Sequence, residues 1–191
     1  YTTINKSSDY FNNKIYTGNG NSGNAQTGVG FQPDLVWLKS RTNTEYNNLY
    51  DSVRGATKRL VSNQDTLEST ISGLTSFNSD GFTVGAADTA NQNSQNFVAW
   101  NWKAGTTGSG TTTGSGTGKA YSYSVSTASG FSIVKYVGNG TAGHTIPHHL
   151  GSAPSMVICK SISENRGFPI QHASLTSAAY SVFLSSDAAQ S

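Results

Sequence analysis

The twelve residues GVGFQPDLVWLK, Gly28 to Lys39, return as HLGSAPSMVICK, His149 to Lys160. Each copy runs Gly, two residues, Pro, one residue, four apolar residues and Lys. Pro33 therefore answers to Pro154 and Lys39 to Lys160, 121 positions on. The echo extends both ways. Upstream, Tyr16 to Gly20 (YTGNG) matches Tyr136 to Gly140 (YVGNG) at an offset of 120; downstream, Leu60 to Asp65 (LVSNQD) resembles Val182 to Asp187 (VFLSSD) at 122. Single-residue drift inside polar loops is how connections absorb insertions. A tandem duplication means that one unit is built twice, and 191 residues can hold it as two small domains. Residues 1–104 are expected to form the first unit, 105–118 a tether, and 119–191 a second unit. That second unit is expected to be partial, stopping before counterparts of Gly81–Val84 and Phe97–Lys103, with either a longer polypeptide or another element completing it.

What the unit is follows from the residues around the repeat. Gly is 21 of 191 residues, aromatic residues make up 10% and charged ones only 12%, with Ser, Thr and Asn abundant. Gly and Asn supply positive-φ turns, while β-branched and aromatic side chains fill pleated surfaces. Few Leu, Glu and Lys argue against helix bundles. Leu35, Val36, Trp37 and Leu38 are apolar without alternation, predicting a strand buried on both faces, and Pro33 ahead of it costs no ladder bond. Further strands are expected over 14–17, 48–53, 58–62, around Phe82 and Val84, and over 97–103. In the last of these Phe97, Ala99 and Asn101 alternate with Val98, Trp100 and Trp102. Asp80-Gly81 marks a hairpin corner. Ala86–Gln95 reads as a loop, and 63–70 as a loop with room for a helical turn. In the second unit Tyr121, Tyr123 and Val125 alternate, and another strand begins at Phe131.

Short strands between Gly, Asn and Asp turns predict an all-β chain of two tandem antiparallel β-sandwich modules, jelly-roll or lectin-like. Each unit, at about 100 residues, is large enough for one inter-sheet core. The expected core members are Val36 and Trp37 in the first unit, Val157 and Ile158 in the second. Gly105–Gly118 has no apolar residue to bury and is expected to be a flexible Gly/Ser/Thr linker.

Little in the chain points to chemistry. The net charge is only +2 and the basic residues are scattered, which does not favour nucleic acid. The tightest basic group, Arg54, Lys58 and Arg59, reads as a solvated face or loop rather than a phosphate site. Cys159, the single cysteine, excludes a disulfide framework and a thiolate cluster, and within Met156–Cys159 it reads as a small buried hydrophobe. No apolar run is long enough to span a bilayer, and no signal peptide is visible. His144, His148 and His149 fall within six residues and could in principle ligate zinc. No Cys or carboxylate stands nearby and Pro147 stiffens the loop, so they read as surface or capping residues, as does His172. A glycosidase needs two facing carboxylates. No such pair lies on a predicted strand, and Asp65, Asp80 and Asp187 sit in turns. There is no Gly-x-Ser-x-Gly in a strand-turn-helix setting, and the Gly-rich TGNGNSGN precedes no predicted helix. The expectation is no enzyme, no cofactor and no metal.

Aromatic residues remain. Trp37, Trp100 and Trp102, with Tyr46 and Tyr50, could form a sugar-stacking platform beside the amide-rich Asn91–Asn96. The simpler reading packs Trp37 in the core and the Trp100/Trp102 face between sheets. Candidate contacts with a partner or glycan are Tyr46, Asn47 and Asn93, with Trp100 and Trp102 as the stacking pair.

The runs YTTINKSSDYFNNKIYTGNG, GVGFQPDLVWLKSR, DSVRGATKRLVSN, LTSFNSDGFTVG and FVAWNWKAG resemble a repeat module of virion proteins from marine tailed phages, such as those of cyanobacteria and Pelagibacter. The likeness covers nearly all of residues 1–104. GFSIVKYVGNG and HHLGSAPSMVICKS resemble the partner module that follows in that family. The chain departs at His149, where the family pattern has Gly. The resemblance implies lectin-like sandwiches in tail-fibre or other structural proteins, with no catalytic residue to carry over. Expected from it are a place on the virion surface as fibre, appendage or capsid decoration, and other virion proteins and further copies of the chain as partners. A host surface glycan is the alternative partner; no nucleic acid or membrane is expected.

Overall fold

Strand follows strand wherever the turn residues allow it. The computed structural model describes residues 4–177 and 179–186. A 3-10 turn at Ser7–Asp9 leads into β1 (Phe11–Thr17), β2 (Asn24–Thr27), β3 (Leu35–Ser40), β4 (Asn48–Asp51) and β5 (Lys58–Val61). There follow β6 (Ser69–Thr70), β7 (Leu74–Asn78), β8 (Gly81–Val84), the one-turn helix α1 (Asp88–Asn91) and β9 (Asn96–Trp102). The remainder comprises β10 (Thr106–Thr111), β11 (Thr113–Gly114), β12 (Ala120–Ser126), β13 (Phe131–Tyr136), β14 (His144–Thr145), β15 (Met156–Ile158), β16 (Pro169–His172) and β17 (Val182–Phe183). The chain is mostly β, in several antiparallel sheets. One is six-stranded, in the order β1-β9-β3-β4-β5-β6; the others are β2-β8-β7, β10-β12-β13, β11-β14 and β15-β16-β17.

The core lies between the first two sheets. Tyr16, Val36, Leu38, Tyr50, Phe97 and Ala99 from the six-stranded sheet meet Leu74, Phe82 and Val84 from β7 and β8, and Ala90 from α1. Each is almost inaccessible to solvent, and each contributes about 1.5–3 kcal/mol by leaving water where the side chain is large. Tyr16 stacks on Phe97 (5.3 Å between centroids), and its hydroxyl donates to the Ala90 carbonyl at 2.6 Å. Burial raises the Tyr16 phenol well above its ordinary range, which keeps that donor protonated.

Burial along β3 alternates: Val36, Leu38 and Ser40 point in, Leu35, Trp37 and Lys39 out. The expectation that β3 is covered on both faces is corrected, and Trp37 is not a core residue. The same holds for β9, where Phe97, Ala99 and Asn101 are the buried set and the tryptophans face away. A central strand of a sheet covered on one side reads as apolar on both when its outer positions are filled by half-buried Leu and Trp.

The duplication is visible in register. In β3 and β4, Leu35 pairs with Asp51, Val36 with Tyr50 and Trp37 with Leu49. In β15 and β16, Met156 pairs with His172, Val157 with Gln171 and Ile158 with Ile170, every partner 121 positions on. The next strand follows suit: Asn48–Val61 and Leu49–Leu60 become Pro169–Phe183 and Ile170–Val182. Backbone turns repeat too. Gly20 and Gly140 have φ of 70° and 72°, Gly23 and Gly143 of 85° and 82°. Gly28, at φ 84°, is matched by His149 at φ 59°, a conformation costly for a residue with a Cβ. His149 is held there by stacking on Tyr123, 3.8 Å between centroids, and by a 3.2 Å hydrogen bond with the Tyr121 hydroxyl. The last position of the downstream echo, Asp187, lies outside the described residues.

Register repeats, but cover does not. Val36 is inaccessible, whereas Val157 is 41% and Ile158 46% exposed. The assignment of Val157 and Ile158 to a second core is thus corrected. In the first unit β9 lies beside β3, and residues of β7 and β8 pack against Val36; no strand takes those places around β15 among the described residues. Cys159, expected inside, is exposed.

The expected tether, 105–118, contains β10 and β11. Across β10 the residues Thr106 to Thr111 pair with Val125 to Ala120 of β12. Lack of apolar side chains was the reason to expect disorder; the neighbouring strand supplies them instead. Tyr123 lies opposite Gly108 and Tyr121 opposite Gly110, each ring resting over the glycine. A Cβ on Gly108 would stand 2.6 Å from the Tyr123 hydroxyl and 2.7 Å from its ring, and the ring is pinned by His149. Gly108→Val is expected to cost about 1–3 kcal/mol of stability by overpacking, measured by urea denaturation.

The hairpin of β7 and β8 turns through Ser79-Asp80, with Asn78 opposite Gly81. Asp80 does more than turn the chain. Its carboxylate accepts from the Gly30 amide at 2.6 Å and the Gly28 amide at 2.9 Å, and these bonds hold it below the ordinary aspartate range. A depressed pKa in the folded state means that the stabilisation is complete above the ordinary value and lost as pH falls through the lowered one. The Gly28 and Gly30 amide resonances are expected to titrate together in acid, below the usual carboxylate range, and Asp80→Asn should abolish that titration.

Candidate functional site

The inward alternation of β3 and β9 leaves an aromatic face on the other side of the six-stranded sheet. Register sets its rows. Trp100 lies between Asn13 of β1 and Trp37 of β3, and Trp37 lies beside Leu49 of β4. Trp102 lies between Phe11 and Leu35, and Val98 between Ile15 and Lys39. Trp37 and Trp100 meet edge to face at 6.0 Å, the arrangement their quadrupoles favour. Trp102 contacts Phe11 at 4.9 Å and Phe131 of the second unit at 6.4 Å. All three tryptophans are half-buried, while Ile15, on the edge strand, is 58% exposed.

Of the candidates named from sequence, Trp100 and Trp102 lie on this face. Tyr46, Asn47 and Asn93 lie on loops where β9 begins and β4 is entered. The structure does not bring the five together. Tyr46 and Asn93 are exposed; Asn47 is half-buried, its amide donating to Asn63 Oδ1 at 3.0 Å and its carbonyl accepting from the Ser62 amide at 2.9 Å. The loops at this end are tied by amides. The inaccessible Asn91 donates to the carbonyls of Asn21 (2.7 Å) and Gly85 (2.8 Å), and accepts from Asn24 Nδ2 (2.8 Å) and the Asn19 amide (3.0 Å). A buried amide with its donors and acceptor matched rigidifies what it touches.

Two other centres were not legible from composition. Asp34, buried, accepts the hydroxyls of Ser52 at 2.6 Å and Ser124 at 3.0 Å and the Ala104 amide at 2.8 Å. It fastens the β10-β12-β13 sheet to β3. A shallow depression beside it is lined by Gln32, Ser52, Val53, Thr107, Ser122 and Tyr123. The second centre is Arg54, which the sequence placed on a solvated face or loop; it lies in the turn after β4, but its side chain is only 6% exposed, in contact with Asp51 at 2.5 Å and Glu68 at 3.0 Å. No run of like charge marks this group, because Asp51 ends β4 and Glu68 precedes β6.

The histidines disperse. His144 Nδ1 meets Asn139 Nδ2 at 2.7 Å, His148 Nδ1 accepts from the Leu150 amide at 3.1 Å, His149 stacks on the tyrosines, and His172 Nδ1 accepts from the Ser174 amide. Among the described residues no three His, Cys, Asp or Glu side chains converge as a metal site would require, and no helix is long and apolar enough to cross a membrane. What this surface offers is half-buried rings on a sheet face and an amide-rich loop end held by hydrogen bonds.

No curated protein and no solved structure matches the chain. Residues 6–191, running through both units and the strands between them, match DUF7483, described as a domain of unknown function. The chain therefore belongs to the DUF7483 family.

Proposed function

We propose that this chain is a non-enzymatic surface protein of a tailed-phage particle, serving as fibre segment, appendage or capsid decoration, and that its units are β-sandwiches. The observation that carries the reading is the three-stranded register built twice, β3-β4-β5 and β15-β16-β17. Repetition of one unit suits a particle surface, where many weak contacts add through effective concentration. The acidic groups serve architecture: Asp34, Asp51 and Glu68 bind turns and strands together, and Asp80 holds the Gly28–Gly30 loop. Further copies and other virion proteins are the partners of this reading. The edge strand β1, with Ile15 exposed, is open to pairing. Mass spectrometry of purified virions should find the chain at the abundance of a structural component; its absence from the particle would remove the proposal.

A second reading, recognition of a host surface glycan, is favoured by the Trp37–Trp100 pair, half-exposed on a sheet face. Under it, host polysaccharide shifts tryptophan fluorescence, and Trp100→Ala weakens binding by about tenfold or more. Fluorescence unmoved by the polysaccharide, with no retention on a glycan array, would leave only the first reading.

A further inference from the structure

We infer that the free edge of β15 is a strand-acceptor site, and that its occupant is an extended polypeptide segment with the pattern of β9, drawn from outside residues 1–191. The inference rests on the internal copy and is independent of both functional readings. β3 and β15 have the same partners in the same register on one side. On its other side β3 carries β9, with Leu35 opposite Trp102, Val36 opposite Asn101 and Trp37 opposite Trp100. On its other side β15 carries nothing among the described strands.

Backbone direction agrees. The Cys159 amide donates to the Pro169 carbonyl at 3.0 Å, and the Ala173 amide to the Ser155 carbonyl at 2.8 Å. Odd-numbered residues of β15 therefore face β16, and by alternation the N–H and C=O of Met156 and Ile158 face the open edge. In β3 the Arg41 amide donates to Asn96 at 2.7 Å, so Trp37 and Leu35, the counterparts of Ile158 and Met156, face β9 in the same sense.

Side chains tell the same story. Met156, Val157 and Ile158 are apolar, uncharged and exposed on both faces of the strand, whereas edges meant to stay free are blunted by charge or a bulge. Tyr136 is the counterpart of Tyr16. Tyr16 is buried against Phe97 of β9; Tyr136 is exposed. The occupant must then alternate as β9 does, with Phe-, Ala- and Asn-like residues on one face and Val and Trp on the other.

The test uses the intact chain and a synthetic peptide of residues 95–103, QNFVAWNWK. Amide exchange at Met156 and Ile158 is expected to slow by about tenfold or more, while Val157, already bonded to β16, stays as it was. A peptide of the same composition in scrambled order should do nothing. Ile158→Pro removes a donor from the open side alone, and should abolish the protection at Met156 while leaving that of the β16 amides. The proposal is overturned if the scrambled peptide protects equally, or if no peptide slows exchange. It is equally overturned if Met156 and Ile158 become protected in peptide-free protein as its concentration rises, since a second copy would then be the occupant.

Discussion

Arg54→Ala is expected to lower stability by about 3–5 kcal/mol, because it strands two carboxylates that the fold has taken from water. The guanidinium serves four acceptors at once: Asp51 through Nε, Glu68 and the Lys58 carbonyl through Nη1, and the Leu49 carbonyl through Nη2. With Asp51 7% and Glu68 18% exposed, water cannot readily replace it. Arg54→Lys should rescue little, since a single ammonium cannot span acceptors that lie around a planar fork. Urea denaturation followed by tryptophan fluorescence reads the effect well, all three tryptophans lying in the first unit. A loss under 1 kcal/mol would mean that the group is solvated after all. A double-mutant cycle with Asp51→Asn should return a coupling of about 1 kcal/mol or more.

Asp34→Ala is expected to cost about 2–4 kcal/mol, and to do so at one place, the junction between the units. Its carboxylate takes three donors, two hydroxyls and the Ala104 amide, and bonds to a charged acceptor are worth about 1.5–3 kcal/mol each before any relief from removing a buried charge. Ser124 also accepts from the Gly105 amide, so the bond series continues into the chain that becomes β10. In Asp34→Ala, exchange should quicken first in β10, β12 and β13, with β3 and β9 holding. Asp34→Asn should retain most of the stability: one oxygen still accepts from Ala104, and the serine hydroxyls can rotate to accept from the amide. Equal loss in the two variants would contradict this account of the junction.

How much of this the sequence carried depends on the element. The strands around Tyr16, Val36, Leu60, Val84 and Trp100 were legible because turn residues bound them and their side chains suit a pleat; the structure moves their ends by a residue or a few. Which face of β3 and β9 is buried was not legible, since Leu and Trp stand on the outer face and Asn101 and Ser40 on the inner. Local propensity has no term for the sheet that does the covering. β10 was missed for the same reason: Thr106–Thr111 is unremarkable alone, and only the spacing of Tyr121 and Tyr123 against Gly108 and Gly110 explains its order. Val157 and Ile158 were read incorrectly as core, because an apolar run reports what a strand could bury, not what lies beside it. The loop candidates Tyr46, Asn47 and Asn93 were placed by composition, whereas Asn91, which ties Asn19, Asn21 and Asn24 to Gly85, looks from sequence like any other amide.

β15-β16-β17 repeats β3-β4-β5 strand for strand, and the virion-surface reading and the strand-acceptor edge both depend on that repetition. Cross-strand nuclear Overhauser contacts in the intact chain test it directly. Val36–Tyr50 and Trp37–Leu49 should be mirrored by Val157–Gln171 and Ile158–Ile170. A pairing of β15 with β16 slipped by one residue would turn every side chain to the opposite face, and would contradict the account, as would the absence of any such contacts between 156–158 and 170–172.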